Sequence, residues 1–292
     1  MIARSLSQLF ALSLAALTFW AAVSAPNVID PEFAGMLYVL FALLVLVFFA
    51  TLFFAMRFAV SNSKIYWGVE NSNKQVFRVF LLILIALAVH LAVGWFFELE
   101  GRLEETAIIS SLLTWTIVPA IFVGLGFVKA PTRIENATLR QMILTGAAAL
   151  FISFSFSAYK FSFGQTRLEM AGSDQAFISI GNILTAAAAE EIVFRVLLLT
   201  ALLDLTRSRF NAVFLSSVVF GLVHAPPHLM QPVVYGDWPM LMSAAQAYAP
   251  AFLIQTLLGL VLGTIWLRSG SISLVVVAHA IMNVGPTLWT DF

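Results

Sequence analysis

Apolar runs of about twenty residues, repeated from one end of the chain to the other, limit this sequence to a narrow set of folds. The first extends to Ala25, and the others cover approximately 35–56, 79–97, 107–128, 141–159, 178–203, 210–225, 247–267 and 271–289. Each is near the ~20 residues a helix needs to cross a bilayer, and the 210–225 run is short. Charged residues make up 10% of the 292, whereas a soluble domain carries about 25%. The expected fold is all-α: a polytopic transmembrane helical bundle of about nine spans, or eight if the first is a cleaved signal. Met1-Ile-Ala-Arg4 and the run that follows have the layout of a secretory signal, with small residues at Val23 and Ala25. Pro26 is a poor residue to follow a cut, so a retained first helix is the favoured expectation.

Charge asymmetry sets an expected orientation. With Arg4 inside, eleven cations lie inside, Arg4 itself and ten in the connections, among them Arg57, Lys74, Arg78, Lys129, Arg140, Arg207, Arg209 and Arg268; the outside connections hold three, Arg102, Lys160 and Arg167. The outside connections also carry Asp30, Glu32, Glu98, Glu100, Glu104 and Glu105. This gives an N-terminus inside and a C-terminus outside. Zero formal net charge offers nothing to nucleic acid. The lack of cysteine removes disulfides, thiolate metal sites and a cysteine nucleophile. The connection 226–246, with Pro226, Pro227, Pro232, Tyr235, Trp238 and Pro239, is expected to be an interfacial loop, with a lid as the alternative.

Against this background, Glu190-Glu191-Ile-Val-Phe-Arg195 stands out as three ionisable side chains in the middle of an apolar span. A charge near the bilayer centre costs at least ~2.5–3.5 kcal/mol, so such a cluster is read as a functional site with partners on neighbouring helices. Glu191 and Arg195 are four apart and can pair, while Glu190 is turned about 100° away and faces elsewhere. Two further polar pairs at the same spacing follow: Phe220-Gly-Leu-Val-His224 and His279-Ala-Ile-Met-Asn283. Singly, each has a plain structural reading as an interhelical hydrogen-bond former or a buried pair; His90 has only that reading. Three together, each costly to bury, favour function.

The order Glu-Glu-x-x-x-Arg, Phe-x-x-x-His, His-x-x-x-Asn resembles that of the CAAX protease and bacteriocin-processing (CPBP) intramembrane endopeptidases, which include the type II CAAX prenyl endopeptidases. The run from Gly259 through Gly263 and Arg268 to Leu274 is also similar to the family segment before the last motif. The resemblance covers roughly 178–285; Val196 departs from it, since many members have Gly there. It implies a glutamate-dependent intramembrane protease acting on a membrane-associated peptide or protein, without cofactor, in a multi-pass protein of the bacterial cytoplasmic membrane. Glu190 is then the base that activates water, His224 assists, His279 and Asn283 donate to the oxyanion, and Glu191 with Arg195 orient these groups. Residues 171–292 form the catalytic core in this reading, and 1–170 are N-terminal spans of unassigned role.

Alternatives remain open. Glu190, His224 and His279 could supply a zinc ligand set, although no His-Glu-x-x-His is present and Pro226-Pro227 separate His224 from His228. A scaffold or immunity factor could keep the polar cluster for binding, and a proton-coupled transporter could use both glutamates as a relay. Counting from Arg207, Arg209 and Arg268 places Glu190, His224 and Asn283 roughly 22–26 Å along their helices, a common level toward the outside half of the membrane. Two small-residue stretches, Ala186 to Ala189 and Gly259 with Gly263, suit close helix approach.

Overall fold

A computed structural model describes residues 2–24, 33–61, 69, 71–99, 112–131, 137–164, 168–170, 173–226, 229, 236–287 and 289–291. Among these, nine helical segments follow one another: α1 (Ile2–Ser24), α2 (Ala34–Ser61), α3 (Ser72–Leu99), α4 (Leu113–Gly124), α5 (Leu139–Gly164), α6 (173–206), α7 (Arg209–Leu222), α8 (Trp238–Ser269) and α9 (Ile272–Thr287). Five of them, α1, α2, α3, α5 and α8, are long and apolar enough to cross a membrane by length and composition; α4, α7 and α9 are shorter apolar helices. The expected helical membrane bundle is what the chain forms, and it is a multi-pass integral membrane protein. A three-residue antiparallel ladder, β1 (Leu168–Met170) with β2 (Trp289–Asp291), joins the α5–α6 connection to the C-terminus. Large apolar side chains lie outward along α2, such as Phe54 and Phe58, because acyl chains solvate them as well as a protein core would.

Two boundaries differ from the sequence expectation. Helix α8 starts at Trp238, nine residues before the expected 247. Asp237 caps it by accepting from the Met240 N–H at 2.9 Å, and Pro239 falls in the first turn, where its missing N–H leaves no hydrogen bond unmade. Trp238 and Pro239 thus belong to the helix and not to a loop; residues 227, 228 and 230–235, including His228, Pro232 and Tyr235, lie outside the described residues. Helix α7 ends at Leu222, and His224 lies in the turn beyond it.

The chain divides into two compact units. The division at residue 170 concerns role and is a separate matter. The first unit comprises residues 1–63 and 206–260. Here α7 packs on α1 and α2, with the Phe53 ring edge-on to Phe210 at 5.1 Å. Ser208 opens α7 by accepting from the Asn211 N–H at 3.3 Å. Helices α7 and α8 come unusually close: a Cβ at Gly259 would lie 2.8 Å from the Cα and Cβ of Ser217.

The second unit comprises residues 64–205 and 261–292. Its α9 packs against α5 and the first part of α6, and α4 packs against α3 and α6. Helix α6 has three parts: α-helical Ser173–Glu191, a π-helical stretch Ile192–Leu199, and α-helical Thr200–Thr206. Val193, Phe194, Leu197, Leu198 and Leu199 of the π stretch are almost wholly buried, and the Phe194 ring lies 5.5 Å from that of Trp115 in α4. Gly270, at φ +62°, ends α8 with its N–H on the Trp266 carbonyl at 2.8 Å. Ser271 then starts α9 by accepting from the Leu274 N–H at 3.3 Å. This turn sets where the His279 helix begins.

Candidate active site

The second unit is most tightly packed where the sequence carries its charges. Glu191 and Arg195 are each 0% exposed and His279 is 3% exposed. One carboxylate joins all three: Glu191 Oε2 lies 2.9 Å from Arg195 Nε, and Glu191 Oε1 lies 2.9 Å from His279 Nδ1. The first contact stays within α6; the second joins α6 to α9 across 88 positions of sequence. One oxygen of this carboxylate is hydrogen-bonded to His279 and the other is ion-paired with Arg195, so the buried charge is compensated from two sides.

Glu190 has a different environment. It is half-buried, and its negative charge, with that of Glu191, acts on the Arg195 guanidinium. Adjacent carboxylates therefore occupy distinct settings, one sealed in a network and one partly open. Asn283 is half-buried on α9, one turn beyond His279.

The π stretch begins directly after Glu191 and contains Arg195. Widened turns of this kind recur at functional sites, and they leave carbonyls unmatched where the helix returns to α geometry. Thr200 meets that need: its hydroxyl donates to the Val196 carbonyl, with the Leu197 carbonyl at 3.3 Å. Sequence reasoning passed over Thr200, because its position matters only once the π geometry is known.

The second motif lies in the first unit and is described there by itself. His224 Nδ1 is 2.7 Å from the Phe220 carbonyl oxygen. A carbonyl can only accept, so Nδ1 carries a proton; in the neutral form of the ring that tautomer leaves Nε2 as a lone pair. The Phe220 and His224 rings sit edge-on at 4.9 Å. The expected pairing of these side chains thus persists although the helix ends between them.

Residues 172–285 match the family model described as type II CAAX prenyl endopeptidase, Rce1-like. That stretch resembles the type II CAAX prenyl endopeptidases. All three motifs, from Glu190 to Asn283, fall inside the matched residues. The matched stretch covers under half of the chain. No curated protein and no solved structure gives a significant match. Among the described residues, no three His, Asp or Glu side chains gather as a metal-ligand set.

Proposed function

We propose that the chain is an intramembrane endopeptidase of the glutamic type, cutting a peptide bond of a membrane-associated protein or peptide. The observation that carries this reading is the Glu191 carboxylate held between Arg195 and His279. It anchors the imidazole by one nitrogen and leaves the neighbouring Glu190 partly open for chemistry.

In this reading Glu190 takes a proton from water, and the water oxygen adds to the scissile carbonyl carbon. The carbonyl oxygen becomes an oxyanion that accepts hydrogen bonds from His279 Nε2–H and the Asn283 side-chain amide. Donors of this kind, fixed in place before the reaction, commonly contribute about 2.7–4 kcal/mol each. When the intermediate collapses, the C–N bond breaks and Glu190 returns the proton to the leaving nitrogen. The products are a new carboxyl end and a new amine, with no covalent acyl-enzyme. Because Glu191 accepts from His279 Nδ1–H, Nε2 donates while the ring holds both protons. His224, presenting an unprotonated Nε2, accepts from the attacking water or relays its proton.

The cation bias of the connections supports an N-terminus inside. The deciding experiment compares membrane proteomes of cells carrying the wild type and Glu190→Gln. A protease leaves at least one uncut precursor in the variant while the variant accumulates normally. Identical proteomes, with Glu190→Gln folded, would remove the enzymatic reading in favour of a scaffold. Turnover that stops under strong chelators would favour the zinc alternative instead.

A further inference from the structure

The geometry points to Tyr248 as the positioning residue that sets the tautomer and height of His224; this rests on the proposed role of His224 but is read from different contacts. Helix α7 stops at Leu222, so its last carbonyls lack partners from a following turn. Each of these must be satisfied inside the membrane, where water does not replace a missing donor. Val219 receives the Val223 N–H at 3.0 Å, and Phe220 receives His224 Nδ1–H at 2.7 Å. Gly221 receives the His224 backbone N–H at 3.3 Å and, from α8, the Tyr248 hydroxyl at 2.9 Å. Tyr248 and the imidazole therefore hold adjacent carbonyls of a single helix end.

The surrounding packing leaves that end little freedom. Tyr248 is 8% exposed, and its ring stacks on Phe252 at 6.5 Å. A Cβ at Gly221 would lie 2.8 Å from the Phe252 ring and 2.5 Å from Thr256 Oγ1. Tyr248, Phe252 and Thr256 recur every four residues, so one face of α8 lies along the glycine next to Phe220. Phe252 and Thr256 fix the distance between the helices, and the Tyr248 hydroxyl fixes the rotation of the terminal peptide groups. Without the hydroxyl, the Gly221 carbonyl would compete for other donors, the His224 ring among them. A ring that turns to offer an Nε2–H to that carbonyl, with Nδ1 deprotonated, no longer presents Nε2 as a lone pair.

The test uses the full-length protein with 15N-labelled histidine in bicelles, the His224 signals being assigned by their loss in His224→Gln. The wild type is expected to show a protonated Nδ1 and an unprotonated Nε2. Tyr248→Phe is expected to show a mixture of tautomers, with about a fivefold loss in the rate of cutting the precursor found with Glu190→Gln, the size set by one neutral hydrogen bond. Phe252→Leu, which disturbs the packing and keeps the hydroxyl, is expected to leave the tautomer unchanged. A wild type already protonated at Nε2 overturns the proposal without any variant having to fold. A single unchanged tautomer in Tyr248→Phe, or the same mixture in Phe252→Leu, overturns it as well. If Glu190→Gln still cuts, the protease reading fails while the tautomer result stands on its own.

Discussion

Glu191→Gln is the substitution whose consequences the structure specifies most fully. The native carboxylate stands 2.9 Å from Arg195 Nε and 2.9 Å from His279 Nδ1, and all three side chains are buried. At an effective dielectric near 20, two unit charges at 2.9 Å attract by about 6 kcal/mol. Desolvation of both partners offsets part of this, so the net loss on breaking a buried pair is about 3–5 kcal/mol. The control is the double variant Glu191→Met with Arg195→Met, which removes both charges and should regain most of the stability, as apolar replacements of buried pairs do. It should remain inactive, because His279 has lost the acceptor on Nδ1. Unfolding in mixed micelles by denaturant measures the first quantity, and precursor cleavage in cells the second. Wild-type stability for Glu191→Gln, or a double variant less stable than either single one, would refute the argument.

Other perturbations give simpler expectations. Asn283→Ala should lower the turnover of the precursor by about 10²–10³-fold with little change in its binding, if the amide donates to the oxyanion; an equal loss in binding would assign it to substrate recognition instead. Gly259→Ala sets a methyl 2.8 Å from the Ser217 Cα and Cβ and should cost about 1–3 kcal/mol through overpacking, read as a lower melting temperature. Gly270→Ala forces a side chain into φ +62° and should cost about 1–2 kcal/mol, with a melting temperature equal to wild type counting against the described turn. Glu190→Gln combined with His224→Ala should be no slower than Glu190→Gln alone, since groups acting on one water fail as a unit; multiplying losses would separate them.

The membrane-bundle fold was legible because spans are written in composition: a run long enough to cross is visible without knowing what it packs against. Glu191 and Arg195 were equally legible, since four-residue spacing on one helix fixes their proximity. The tie from Glu191 to His279 was not, because 88 intervening positions carry no periodic signal. The start of α8 was misplaced because Pro239 reads as a breaker until it is known to sit in a first turn capped by Asp237. The end of α7 at Leu222 and the hydroxyl that Tyr248 lends to it were invisible for a similar reason. A tyrosine within an apolar span says nothing of which carbonyl it will find.

The π stretch between Glu191 and Thr200 has a bearing on how insertions and deletions would act. A helix that carries a surplus residue in its turns can lose one and still close its ladder, as an ordinary α-helix. Such a deletion would spare the fold of α6 and change the facing of its far side relative to Glu191 much less than the roughly 100° that the same loss causes within an α-helical stretch. This octet therefore acts as slack in chain length between the charged end of the helix and its apolar remainder.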